Sequence, residues 1–310
     1  MQNDLISVVI PLYNKSEFVL DALNSVVAQT FRNWECIIVD DGSTDGSKQI
    51  VQEFIETHPG RWILSSQVNL GPSAARNVGI SLAKGKYIAF LDADDFWHQQ
   101  KLEHQFSFME NNQRLVMSLT HYIIFSYQNK YVMKLVTFSN VEGLLSGWLR
   151  MTGFGGLVET TGMIKASCVS PLSLFDTTLR ASEGLDFVLK WSKLGDIGLL
   201  KRTYSFYRIS PNQLHKNESL VSESVKVVAD RYASGVYRNY LDKLHSAYFE
   251  LSSLRSLSFP KKVVQILLKC IGADRAFLRI LFGVLIRNIK AKFLVFGKKN
   301  YFLRAFSRLQ

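Results

Sequence analysis

Cysteine is scarce in this chain: Cys36, Cys168 and Cys270 are the only three, far apart in 310 residues. An odd, scattered set excludes a disulfide framework and a zinc site, and fits a reduced compartment in which the thiols are packing groups. A basic leader is also missing. The chain opens Met-Gln-Asn-Asp, and Leu5 to Leu12 already has strand composition, so export is not expected. No Gly-x-Gly-x-x-Gly follows that first apolar run and no Walker-type lysine occurs, which weakens the common dinucleotide and P-loop readings. Acid is nearly absent from the last stretch. Residues 260–310 hold 12 Lys and Arg against Asp274 alone, leaving 25 basic and 25 acidic side chains in the first 259. The net charge of +11 therefore belongs to the tail, and the body is neutral. The tail also lacks a long apolar run. Its longest uncharged stretch, Ile280 to Ile286, falls far short of the ~20 residues that span a bilayer.

What the chain does have is an apolar run that stops in acid. Tyr87 to Leu91 has the aromatic and β-branched content of a strand covered on both faces, and Asp92, Ala93, Asp94 and Asp95 follow it directly. Three carboxylates this close repel one another unless a cation neutralises them, and an oxygen-only set favours Mg²⁺ or Mn²⁺ completed by substrate phosphates. The competing reading is a solvated acidic turn. Upstream, strands over Leu5 to Ile10, Trp34 to Val39 and Trp62 to Ser66 alternate with helices over Ser16 to Thr30, Lys48 to Thr57 and from Asn69 to a stop at Gly85. Polar residues gather after successive strands: Pro11 to Asn14, then Asp40-Asp41-Gly42-Ser43-Thr44-Asp45, then the Asp cluster. Asp45 or Ser47 can cap the helix that follows, and capping competes with ligand binding for Asp40 and Asp41. Arg76 and the first amides of its helix suit a diphosphate, although Arg76 equally suits the Asp cluster as an ion-pair partner. The order β-α-β-α-β-α-β calls for a doubly wound α/β sheet with its site along one edge.

Five segments in order, Ser7 to Asn14, Ser25 with Gln29-Thr30-Phe31, Val39 to Asp45, Asn69 to Asn77 and Ala89 to Asp95, resemble family 2 glycosyltransferases of the GT-A fold. The resemblance is strong over roughly residues 5 to 105, weaker over Phe175 to Arg208, and negligible in the tail. It implies a Rossmann-like mixed sheet flanked by helices, with a helical basic C-terminal extension. It also implies that Asp41 accepts from a uracil ring, with Pro11 and Tyr13 lining that pocket. Asp92 then lies near the ribose and metal shell, and Asp94 is the direct ligand of Mn²⁺ or Mg²⁺ on the diphosphate. A departing nucleoside diphosphate gathers negative charge, which a metal stabilises without proton transfer.

Inverting transfer also needs a base for the acceptor hydroxyl. Arg180 to Trp191 resembles the family segment in which an acidic pair begins a helix, but the second acid is replaced by Gly184. Glu183 is the preferred base and Asp186 the alternative, three positions on along one helical face. An acidic helix start that favours the macrodipole is the competing reading. Loss of that second acid also keeps open a binding protein of the same fold with impaired turnover. In the late polar loop after Tyr207-Arg208, Ser210 stands where the family's usual His is found, so His215 is carried as a further metal-ligand candidate. His98 and His104 read as surface or supporting groups.

Phe96 to Glu110 reads as a helix, Ser118 to Phe138 as two antiparallel strands, and glycine-rich Trp148 to Thr161 as a loop able to cover the donor. In the tail, Arg275, Arg279, Arg287 and Lys290 recur at helical spacing beside Phe277, Leu278, Leu281 and Leu285, the pattern of a helix lying on an anionic membrane. A helical subdomain packed on the body is the alternative, and nucleic acid is disfavoured as a partner. The expected organisation is a nucleotide-sugar half over 1–110, an acceptor half over 111–225, and a membrane-associating region over 226–310. The reading is a metal-dependent inverting transferase that moves sugar from a nucleotide donor to a lipid-linked saccharide in bacterial surface polysaccharide synthesis, at the inner face of the cell membrane. Without spanning helices or a Gln-x-x-Arg-Trp segment, processive synthesis is disfavoured.

Overall fold

The computed structural model describes residues 4–126, 131–136, 159–209, 223–224, 227–228 and 230–232. Those between 4 and 224 belong to one compact unit, and the remaining few are helical and belong to a second. Residues 137–158, His215 and the basic tail, for which the sequence raises expectations, lie outside the described residues.

The first half alternates as its apolar pattern requires. Its elements are β1 (Ile6–Leu12), α1 (Val19–Val27), β2 (Trp34–Asp40), α2 (Ser47–Thr57), β3 (Trp62–Ser66), α3 (Pro72–Leu82) and β4 (Tyr87–Phe90). There follow β5 (Phe96–Trp97), α4 (Lys101–Glu110), β6 (Leu115–Ser126), β7 (Tyr131–Val136), β8 (Met163–Lys165), α5 (Glu183–Trp191) and β9 (Asp196–Ile209). Eight strands form one sheet in the order β3-β2-β1-β4-β8-β6-β9-β5, and β7 pairs with β6 off that path. β3, β2, β1 and β4 run parallel, whereas β8 is antiparallel to both β4 and β6. The sheet is therefore mixed. The chain winds outward from β1 to β3 and returns to place β4 on the other side of β1, which makes the C-terminal ends of β1 and β4 the topological switch point.

Both faces of the parallel half are covered, which is why β1, β2 and β4 are largely apolar, and the two polar residues inside β1 and β2, Ser7 and Glu35, are buried and bonded to each other. Ile6, Val8, Ile10 and Leu12 face a core shared with α1, α2 and α4, while Val9, Ile37 and Phe90 face a second core with α3 and α5. In the second core Phe175 stacks on Phe187 with ring centroids 3.9 Å apart, and Phe90 meets both edge-on. Offset and edge-on pairs of this kind contribute about 0.5–1.5 kcal/mol each beyond area burial.

Three local expectations need correction. Helix α1 is shorter than Ser16 to Thr30, because the Ser16 amide goes to Asp45 Oδ2 at 3.0 Å and the Thr30 amide to the Gln99 carbonyl at 2.8 Å. Phe96 and Trp97 are not helical. They pair with Phe206 and Ser205 of β9, and the helix waits until Lys101. Gly85 is not a helix stop either, since α3 already ends at Leu82. It is glycine because the backbone passes Ser7 so closely that a Cβ would lie 2.5 Å from the Ser7 nitrogen.

A candidate active site at the switch point

Tyr13 and Asp41 leave the sheet from neighbouring strands, the Asp41 amide donating to the Leu12 carbonyl at 2.8 Å. Pro11 stays within β1, and Tyr13 is exposed. Asp41 is buried and accepts from Gln67 Nε2 at 2.7 Å and from the amides of Leu70 and Gly71 at 2.8 Å each. Two of the amides leading into α3 are thus taken by a carboxylate of the chain itself. Gly71, at φ +92°, makes the turn that presents them, and Pro72 opens the helix behind it.

The residue after Tyr13 turns the chain back on its neighbour. Asn14 adopts φ +50° and exchanges hydrogen bonds with Ser43 and Thr44, while the Lys15 amide donates to Ser47 Oγ at 2.8 Å. Asp45 accepts the Ser47 amide that starts α2 as well as the Ser16 amide. Burial opposes ionisation of Asp45, but its hydrogen bonds with Ser47 and Ser16 outweigh this and hold its carboxyl at about 2. Asp40 accepts the Ser43 amide at 3.1 Å, the turn-forming role set against ligand binding above.

Across the switch point, the Asp95 amide returns to the Asp92 carbonyl, so the acidic run is a tight turn. Asp94 Oδ2 lies 2.5 Å from Lys15 Nζ, and Asp92 Oδ1 lies 2.6 Å from Arg76 Nη2. Asp95 points inward and accepts the Arg208 amide at 2.9 Å, and Arg208 Nε reaches the Asp94 carbonyl at 2.7 Å. Burial, then Asp94 and Asp92, push the Asp95 carboxyl well up, and burial with the same acids pushes up the Tyr207 phenol. The acidic turn thus concentrates negative charge, met by Lys15, Arg76 and Arg208 of the chain itself.

Arg76 is buried among three carboxylates. Besides Asp92, its Nη1 lies 3.4 Å from Glu183 Oε1 and 3.9 Å from Glu159 Oε1, and its guanidinium sits 5.3 Å from the Phe175 ring centroid. Burial works against its charge, but the three acids outweigh that and raise its pKa further. Glu183 starts α5 and is partly open, its side chain 14% exposed. Asp186, one turn on, is sealed in and paired with Lys190 at 2.7 Å.

The fold therefore brings Arg76, Asp92, Asp94 and Glu183 together and turns Asp186 away. Among the described residues no three ligating side chains form a metal cluster. Asp92 and Asp94 nevertheless fit a hard divalent ion, because each already binds a cationic side chain and such ions commonly take one or two carboxylates plus phosphate oxygens. Sequence reasoning missed Lys15 and Glu159. Lys15 adjoined a recognised motif, whereas Glu159 closed a glycine-rich stretch with no signal of its own.

Known proteins resemble this chain in sequence and in fold. An uncharacterised glycosyltransferase of Rickettsia felis is 30% identical over 269 residues, 83% of this chain and 42% of that protein. The Escherichia coli protein WfaP, named UDP-Glc:alpha-D-GlcNAc-diphosphoundecaprenol beta-1,3-glucosyltransferase, is 36% identical over 133 residues, 42% of this chain and 48% of its own length. The chain spans less than half the length of either relative. Among solved structures, S. aureus TarS 1–349 in complex with UDP-GlcNAc superposes with a TM-score of 0.59 at 19% identity, over 92% of this chain and 81% of that one. The shared architecture is the GT-A fold. Residues 7–163 match the profile of Glycosyl transferase family 2, and the chain belongs to that family.

Proposed function

We propose that this chain transfers a sugar, with inversion, from a UDP-linked donor to a saccharide carried on a lipid diphosphate during bacterial surface polysaccharide synthesis. The observation that carries the reading is the convergence at one switch point of Asp92 and Asp94, each on a cationic side chain, with the partly open Glu183 on the same guanidinium as Asp92. The name of the E. coli relative supports both the donor class and the acceptor class.

In this reading Asp41, Tyr13 and Pro11 receive the nucleoside. Asp94, with Asp92 beside it, would hold Mn²⁺ or Mg²⁺, which when bound would supply positive charge for the departing diphosphate. Glu183 faces the acceptor and takes the hydroxyl proton as that oxygen bonds to the anomeric carbon and the bond to the diphosphate breaks. Asp186 is given no such role, since its carboxylate is sealed and paired with Lys190. The basic tail is assigned to an anionic membrane surface on the cytoplasmic side. No described helix is long and apolar enough to cross a membrane.

Calorimetric titration of UDP- and GDP-sugars, with Mn²⁺ or with chelator, tests the reading on wild type and Asp94→Ala. One UDP-sugar should bind, with metal only and with Asp94 only. Absence of binding under every condition would overturn it.

A further inference from the structure

Glu159 has no part in the transfer just described, yet its carboxylate lies at the centre of the site. Its side chain is fully buried and neither oxygen has a hydrogen-bond partner among the described residues. Among the described residues its opposite charge is Arg76, whose Nη1 is 3.9 Å away and stands 3.4 Å from Glu183. Charge-assisted bonds settle at about 2.7–2.9 Å, so Arg76 is shared between the two acids and closed on neither.

On its other side Glu159 presses against α5. A Cβ built on Gly184 would lie 2.5 Å from Glu159 Oε1 and 2.8 Å from both Oε2 and the carboxyl carbon. Gly184 is not among the residues of positive φ, so it is glycine for space and not for backbone conformation. The carboxylate delivered from position 159 fills the volume that a side chain at 184 would fill.

We propose that Glu159 is a positioning residue that stands in for an acidic side chain at position 184, competes with Glu183 for Arg76 Nη1, and so leaves Glu183 free to face the acceptor. The proposal rests on the transferase reading of Glu183. A carboxylate locked onto a guanidinium is a poor base, and a second carboxylate on the same nitrogen loosens that lock. Burial pushes the Glu159 carboxyl up to about 8, with Arg76 opposing and Glu183 and Asp92 adding to the rise. The competition therefore strengthens as pH rises through that range. The groups facing Glu159 are Arg76 from α3, Asp92 after β4, Glu183 from α5 and Tyr207 from β9.

The test is hydrolytic UDP release from UDP-glucose and UDP-N-acetylglucosamine by the full chain, with water as the acceptor of the glycosyl group, and with donor binding and thermal unfolding measured in parallel. Glu159→Gln keeps the shape and removes the charge. Above about pH 9, where the wild-type carboxylate is charged, it should lower kcat roughly tenfold and leave KM for the donor unchanged, and it should abolish the rise in rate near pH 8. Glu159→Ala should lose activity, and Glu159→Ala combined with Gly184→Asp should regain it. The proposal is overturned if Glu159→Gln stays within about twofold of wild type above about pH 9, if KM moves with kcat, or if the double variant regains stability without regaining kcat. Wild type that binds neither nucleotide sugar overturns the transferase reading and this proposal with it, whereas equal turnover of wild type and Glu159→Gln overturns this proposal alone.

Discussion

Lys15 Nζ lies 2.5 Å from Asp94 Oδ2, an ion pair that crosses the switch point from the end of β1 to the acidic turn after β4. The Lys15 backbone is held by Ser47, so the ammonium is presented by an anchored loop. A cation of the chain occupies the carboxylate that the proposed mechanism gives to a divalent ion.

Lys15→Met should therefore tighten Mn²⁺ binding to the nucleotide-free protein, because one competing positive charge is removed from Asp94. The free Mn²⁺ signal in electron paramagnetic resonance measures this without a turnover assay. Equal or weaker binding by the variant would mean that Asp94 does not hold the ion.

Arg76→Ala should cost about 3–5 kcal/mol in urea unfolding, since it leaves buried acids without their cation. Arg76→Lys keeps the charge but loses the fork that reaches Asp92 and Glu183 together, and should fall between wild type and Ala. A loss below about 1 kcal/mol for Ala would show that the three acids are relieved by protonation or water instead.

Asp45 links the start of α2 to Ser16, and Asp45→Ala should cost about 0.5–2 kcal/mol at neutral pH. The sign follows from a folded pKa of about 2, below its ordinary value of 3.8. The stabilisation is complete above the ordinary value and fades as pH falls through about 2. Unfolding of wild type and variant should differ at pH 7 and converge in strong acid. A difference that persists there would belong to packing.

Removal of the basic tail after Phe259 should abolish sedimentation with vesicles rich in anionic lipid, while the intact chain sediments and is released by salt. Full sedimentation of the truncated chain would place the membrane contact elsewhere.

The parallel half of the fold was legible because its strands are buried on both faces. Val8 to Leu12 and Cys36 to Val39 are apolar runs, and polar residues collect where those runs stop. Two-residue β5 was not legible. Phe96 and Trp97 carry no local signal against a helix, and only the arrival of β9 beside them selects a strand.

The sequence by itself determined the alternation of strands and helices, the acidic turn after β4, and the family. Each is written in residues adjacent along the chain, where apolar period and motif spacing act. Tertiary structure alone decided how the charges are shared. Asp186 is buried and paired with Lys190 while Glu183 stays partly open, Lys15 reaches Asp94, and Glu159 arrives over Gly184 from another segment. Burial and charge act through space, so a carboxylate's role depends on which neighbours packing supplies, and these neighbours come from segments far apart in the chain.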